Sequence, residues 1–282
     1  VTLSHGGKAI NAAYTARLLG VAVRVSGFIG GASGQALVEH LHRFGVTTDF
    51  VSSCSPTRCC TTLVDLSQEE ATELVEEAAT PGADDWAVLE TKIRGALPSC
   101  RLLVAAGALP PNAPPVFYAH AARLAAEAGR ALLLDTRGAA LLAALAHQPL
   151  LVKLNRAELA QTLHRTLDLV HDLANATREL VAQGARWALV TDGPQPAWLA
   201  TREGQLWRVT PPAVQACNAV GSGDAVLGGV GAALARGAPM LDAIAQGIAC
   251  GSAAALTLTP GELDPVTVQR LTQQVDVSGQ KH

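Results

Sequence analysis

The sequence predicts an α/β fold, a mostly parallel sheet covered by helices on both faces, with a small β appendage. Three observations carry this. Short apolar runs of strand length recur between stretches of helical spacing along the whole chain. These runs are apolar throughout rather than alternating, as expected of strands buried on both faces. The third is size: 282 residues, 49% hydrophobic and 16% charged, can bury a substantial core, which excludes a disordered tail or a disulfide-stapled mini-protein.

Strands are predicted at Val21–Ile29, Arg101–Ala106, Ala131–Asp135, Leu150–Leu154 and Trp187–Thr191. Helical spacing between them predicts Gln35–Phe44, Asp85–Leu97, Val116–Ala128, Ala157–Leu163 and Asp168–Gln183. Thr57–Leu66 and Thr72–Glu76 break the rhythm, because they read as strands joined by a short turn with no helix between. A second hairpin is predicted from Ala197–Ala200 and Leu206–Val209, which flank an Arg-Glu-Gly turn. Helices follow at Asp224–Ala235, Leu241–Leu256 and Pro265–Val275. With no repeat, low-complexity tract or long linker, residues 1–282 read as a single domain with an insertion at about 57–76.

A net charge of −3 and a pI near 6.2 provide no basic field for a nucleic-acid backbone or an anionic membrane. The uncharged stretch Ala243–Gly261 is built mostly from Ala, Gly, Ser and Thr, which bury too little area to favour lipid, and so predicts a buried helix. Cys54, Cys59, Cys60, Cys100, Cys217 and Cys250 include no Cys-x-x-Cys pair, and they read as reduced thiols of a cytoplasmic protein. The adjacent Cys59 and Cys60 are predicted to be buried in a strand, an oxidation sensor being the alternative. The histidines predict no metal site: His40 and His42 face different sides of a helix, and His164 and His171 lack a carboxylate or thiol partner at useful spacing. The chain opens without Met and reaches Gly6-Gly7 at once, which predicts processing or a missing beginning.

The sharpest local feature is Asn218-Ala219-Val220-Gly221-Ser222-Gly223-Asp224, directly ahead of an apolar helix. Backbone N–H groups at a glycine-rich helix start, with the helix dipole behind them, favour an anion. Asp224 beside that anion could accept a proton from a hydroxyl attacking a phosphoryl group; a plain helix cap is the alternative reading. Gly6-Gly7-Lys8 with Asn11 one turn on places an ammonium and a carboxamide near another helix start, which is also the pattern of an ordinary turn into a helix. In Lys153-Leu154-Asn155-Arg156-Ala157-Glu158, at the end of a buried strand, Asn155 and Glu158 could face one hydrated cation from a first helical turn.

In order and spacing, Gly6-Gly7-Lys8, Gly107-Ala108-Leu109-Pro110, Asn155 to Glu158 and Gly221-Ser222-Gly223-Asp224 resemble the ribokinase/PfkB carbohydrate kinases, most of all the 1-phosphofructokinase and tagatose-6-phosphate kinase branch. The resemblance runs from about Gly6 to Leu263. It implies a ribokinase-like αβα sandwich with a β-sheet lid at Thr57–Leu66 and Thr72–Glu76. It further implies an ATP- and Mg²⁺-dependent transfer of a phosphoryl group to a hydroxyl of a sugar or sugar phosphate. By similarity Asp224 is the catalytic base and Gly221, Ser222 and Gly223 form the anion hole. Asn155 and Glu158 match the residues that organise Mg²⁺ through water, and Thr191 and Gly193 match the nucleotide contacts. Gly7, Lys8 and Asn11 match sugar contacts, Arg58 matches an arginine that meets a substrate phosphate, and a homodimer through the lid is implied.

The chain departs from this family in several places. The first strand, with its sugar-binding Asp, and an N-terminal lid strand are expected before Gly-Gly-Lys, where only five residues stand. Ala108 replaces a Ser, Leu154 a Pro, Ala78-Ala79 a Gly-Pro, and Ala254 an Asn near the nucleotide. Arg137 stands where a small residue often approaches the sugar; it reads as a surface arginine, with a second anion as the alternative. A non-catalytic descendant that binds a sugar phosphate or nucleotide is the competing reading. A dinucleotide-dependent oxidoreductase is disfavoured, because Gly27-Phe28-Ile29-Gly30-Gly31 has the wrong spacing.

Overall fold

The computed structural model describes residues 3–65, 70–110 and 113–279. Helix α1 (Lys8–Leu18) leaves the Gly-Gly pair and leads into β1 (Arg24–Val25), β2 (Phe28–Ile29), α2 (Gly31–Arg43), β3 (Thr47–Thr48) and β4 (Val51–Ser52). These short strands pair in parallel, β1 on β3 and β2 on β4. An antiparallel hairpin follows, β5 (Thr61–Asp65) with β6 (Glu70–Leu74). The βα alternation then runs through α3 (Ala83–Ala96), β7 (Leu102–Ala106), α4 (Phe117–Glu127), β8 (Ala131–Asp135), α5 (Gly138–Leu145), β9 (Leu151–Asn155), α6 (Arg156–Leu163), α7 (Val170–Ala182) and β10 (Trp187–Asp192). The chain continues with β11 (Gln195–Thr201), β12 (Leu206–Thr210), α8 (Ser222–Ala235), α9 (Met240–Ala254), α10 (Pro265–Thr272) and β13 (Asp276–Gly279).

Seven strands form the central sheet in the order β13-β12-β11-β10-β9-β8-β7. β7 to β10 run parallel, and β11, β12 and β13 are added antiparallel, so five of the seven strands point the same way. The two-residue strand period divides the side chains between two cores. Leu134, Val152, Leu154 and Val190 pack with Trp86, Phe117, Leu141, Leu173 and Leu180 on the side of α3 to α7. Leu133, Leu151, Leu189 and Leu199 pack with Val226, Leu227, Val230, Ile244 and Ile248 on the side of α8 and α9. This is the predicted sandwich, with helices on both faces.

Small residues set the second layer. A Cβ at Gly228 would lie 2.3 Å from the Ala12 carbonyl oxygen, one at Gly229 2.5 Å from the Cys250 sulfur, and one at Gly247 2.4 Å from a Val230 methyl. Helices α1, α8 and α9 therefore touch nearly backbone to backbone, which explains the uncharged stretch: α9 is buried along most of its length. Among the described residues no helix is long and apolar enough to cross a membrane.

Several boundaries differ from expectation. The strand predicted at Val21–Ile29 splits at Ser26-Gly27 into β1 and β2, which among the described residues pair with β3 and β4 and not with the central sheet. The two-residue strands β3 and β4 are too short to show a period, and α5 (GAALLAAL) lacks the polar face that would reveal one. The edge strand β13 was not predicted either. The first hairpin strand begins at Thr61 rather than Thr57 and the second ends at Leu74 rather than Glu76, while Leu66 and the following turn lie outside the described residues. Cys59 and Cys60 consequently precede the strand and are exposed, correcting the expected burial. Two strands alone supply no second layer to cover them.

Two glycine substitutions test the packing. Gly228→Ala drives a methyl group into the α1 backbone and is expected to lower the unfolding free energy in urea by about 2 kcal/mol. Gly95→Ala, in the exposed part of α3 with open space around it, is expected to raise it by about 0.5 kcal/mol.

Candidate active site

Two apolar strands each carry one charge at their carboxyl ends: Asp135 closes β8 (ALLLD) and Lys153 sits within β9 (LVKLN). Both are buried, at 0% and 2% exposure, and an ion left alone there would be costly, so the pair must be mutually satisfied. The Lys153 ammonium donates to Asp135 Oδ2 at 2.8 Å. Lys8, in the first turn of α1, donates to Asp135 Oδ1 at 2.6 Å and to Glu158 Oε1 at 2.6 Å. Burial by itself would disfavour the Asp135 carboxylate, but the ammonium groups of Lys153 and Lys8 outweigh it and hold the carboxyl below its usual range. Burial likewise works against the Lys8 charge, and Asp135 and Glu158 outweigh it, raising the Lys8 pKa.

The start of α8 is built against this cluster. Gly221 has φ +80°, and a Cβ there would lie 2.7 Å from the Pro260 Cβ, so glycine is needed for both conformation and space. A Cβ on Gly223 would lie 2.7 Å from the Lys153 ammonium, so the absence of a side chain lets that cation reach the helix start. Asn218, also buried, braces the preceding loop: its Oδ1 accepts from the Val220 amide and its Nδ2 donates to the Leu258 carbonyl. Asp224 follows in the first turn, 8% exposed, and its Oδ2 accepts from Asn11 Nδ2 at 2.8 Å. Burial raises the Asp224 pKa, against the opposing effects of the Asn11 hydrogen bond and the Lys153 charge. The Ser222 amide donates to the Ala219 carbonyl at 3.2 Å, whereas the Gly221 and Gly223 amides have no backbone partner among the described residues.

Asn155 and Glu158 form a reciprocal cap at the start of α6: Asn155 Oδ1 accepts from the Glu158 amide at 2.8 Å, and Glu158 Oε2 from the Asn155 amide at 3.0 Å. Their oxygen donors suit Mg²⁺. With an ammonium on one Glu158 oxygen and an amide on the other, they fit a cation held through water rather than by direct bonds. Thr191 pairs with Asn155 across β9 and β10, and its hydroxyl donates to the Leu154 carbonyl at 3.3 Å. Gly193 takes φ +57° in the turn that follows. Gly7 (φ +98°) precedes α1. Arg58 is exposed ahead of β5, its Nη1 donating to the Glu76 carbonyl at 2.9 Å.

Lys8 and Glu158 are thus joined through Asp135 to Lys153, whose charge also acts on the Asp224 held by Asn11; the sequence assigns no role to Asp135 and shows Lys153 only as part of the segment before α6. Their signal was available, because a charge inside an otherwise apolar strand requires a buried partner. Asn218 was seen only as part of the glycine-rich segment.

The two aspartates should respond oppositely to neutralisation. A carboxyl whose folded pKa is depressed stabilises the fold above its unfolded value, and that contribution is lost as pH falls through the folded value. One whose pKa is raised costs stability at neutral pH. In thermal and urea unfolding at pH 7, Asp135→Asn is expected to destabilise by about 3 kcal/mol, leaving two ammonium groups without their shared carboxylate. Asp224→Asn is expected to raise the melting temperature.

The pfkB family carbohydrate kinase profile matches residues 1–265. Among solved structures, Escherichia coli phosphofructokinase-2 in complex with potassium superposes with a TM-score of 0.88 at 29% identity, covering 97% of this chain and 88% of that one. The same enzyme in complex with substrates and products gives a TM-score of 0.84 at 29% identity, covering 95% and 87%. A Thermotoga maritima protein described as a possible 1-phosphofructokinase gives 0.89 at 24% identity, covering 98% and 88%, and shows the shared fold. The profile spans almost the whole chain, including the Gly-Gly-Lys turn and the α8 start that meet around Asp135, and this protein belongs to the pfkB family of carbohydrate kinases.

Proposed function

We propose that this carbohydrate kinase transfers the γ-phosphoryl group of ATP to a hydroxyl of a sugar or sugar phosphate, with Asp224 as the catalytic base. The observation that carries the reading is the buried Asp224 carboxyl in the first turn of α8, one oxygen held by Asn11 and its pKa raised by burial. Asn11 occupies Oδ2, which leaves Oδ1 to take the proton of the attacking hydroxyl. The hydroxyl oxygen attacks phosphorus in line, and ADP leaves on the opposite side. Charge on the moving phosphoryl group is met by the amides of Gly221 and Gly223 and by the helix dipole, with the Lys153 ammonium close behind. Ser222, assigned to the same hole by resemblance, has its amide turned to Ala219 and contributes least.

Lys8, Asn11 and Gly7 are the sugar-side residues of this reading, Arg58 the residue that would meet a substrate phosphate, and Thr191 and Gly193 the nucleotide-side residues. Asn155 and Glu158 would organise Mg²⁺ through water; when bound, the ion supplies neutralisation of phosphate charge. The hairpin of β5 and β6 is an inserted lid on a single kinase domain. Thr61 pairs with Leu74 and Leu63 with Thr72, so Leu63 and Leu74 share one face, and they are 57% and 58% exposed. We assign that face to a second copy of the chain.

Three outcomes are expected. With ATP and a panel of ketoses and ketose phosphates, Asp224→Asn lowers kcat about 10³-fold while retaining nucleotide binding; equal, negligible turnover in both proteins would favour the non-catalytic reading instead. The acid limb of the wild-type kcat profile lies above the ordinary carboxylate range, because activity is lost as pH falls through the raised Asp224 pKa. Leu63→Asp converts a dimer to a monomer in sedimentation velocity; an unchanged coefficient overturns the lid assignment.

A further inference from the structure

We propose that Arg156 is a positioning residue for the nucleotide: its ion pair with Asp192 fixes the turn at Thr191 to Gly193 and cancels a carboxylate that would repel a triphosphate. The inference rests on the kinase reading above. β9 and β10 pair in parallel as far as Asn155 and Thr191, and there the ladder ends, because β9 runs into α6 and β10 turns back into β11. Beyond that point side chains hold the two ends together. Arg156 Nη1 donates to Asp192 Oδ2 at 2.9 Å, and its Nε donates to the Leu167 carbonyl at 2.7 Å. One guanidinium therefore braces the start of α6, the loop after α6 and the turn after β10. Its planar fork of donors sets the spacing of all three segments, which the single ammonium of a lysine could not.

The place of Asp192 in the chain makes its charge matter. It lies between Thr191 and Gly193, the two residues assigned to the nucleotide side, and the register of β10 on β11 slips between Val190 and Asp192. A slip of this kind re-aims side chains and is common beside functional sites. The two partners are 33% and 24% exposed, so water screens the pair and its worth to the fold is small. A carboxylate beside a bound anion is nevertheless unfavourable unless a cation compensates it. Among the described residues only Arg156 does so, since Lys8 and Lys153 are both held by Asp135.

Calorimetric titration of the full chain with ATP tests this. Arg156→Ala is expected to weaken ATP binding about tenfold, and the further change Asp192→Asn to recover about threefold of that loss, because no carboxylate is then left uncompensated. Asp192→Asn alone should stay within about threefold of wild type. A merely structural brace would show no such rescue, since removing the second partner could only loosen the turn further. Should Arg156→Ala fail to fold, Arg156→Gln, which keeps a donor for the Leu167 carbonyl, carries the same expectations. Wild-type ATP affinity in the Arg156 variant overturns the proposal, as does a double variant that binds ATP no more tightly than the single one. Failure of the kinase reading is separable: it shows as wild-type protein that binds no ATP, and it overturns both.

Discussion

The Asp135 carboxylate, clasped by Lys153 on one oxygen and Lys8 on the other, is the constraint on which the site depends. It joins elements far apart in the chain: the first turn of α1, the ends of β8 and β9, and, through Glu158, the start of α6. A buried ion cluster of this kind is weak evidence for stability, because desolvation opposes much of what the pairing contributes. Its value is positional. With Lys8 fixed, the rest of α1 is fixed, and Asn11 one turn on meets Asp224.

The second determinant is the absence of side chains. Gly221, Gly223, Gly228, Gly229 and Gly247 let α8 approach Pro260, Lys153, α1 and α9 at distances a Cβ would forbid. The same helix consequently has its polar start beside Lys153 and Asn11 and its small-residue body in the core. Burial of Asp224 follows from this packing, and burial is the main cause of its raised pKa. A carboxyl made a better proton acceptor by desolvation reduces stability in return, a balance common where chemistry is done.

Much of this was legible in the sequence. The uninterrupted apolar runs of β7 to β10, and the helical spacing of α4, α6 and α7 among them, gave the alternation from which the sandwich followed. The glycine-rich start of α8 and its aspartate stood out because a carboxylate beside exposed helix-start amides suits proton transfer at an anion, although a plain helix cap has the same composition. What could not be read depended on distance in space. Asp135 and Lys153 are eighteen residues apart and meet only because β8 and β9 are adjacent and parallel. The two-residue strands and the all-apolar α5 gave no periodic signal, and the exposure of Cys59 and Cys60 depended on whether a second layer covered the hairpin. Asn155 and Glu158 were singled out for a cation, and the structure adds the reciprocal cap and the Lys8 contact that restrict how one is held.

The central claim is that packing around α8 makes Asp224 a buried, readily protonated carboxyl held by Asn11. The most direct measurement is a carbon-13 NMR titration of the aspartate carboxyls, with the Asp224 signal assigned by its disappearance in Asp224→Asn. The account predicts a midpoint above the ordinary value of 3.8. A midpoint at or below that value would show a solvated or strongly ion-paired group, and would contradict it.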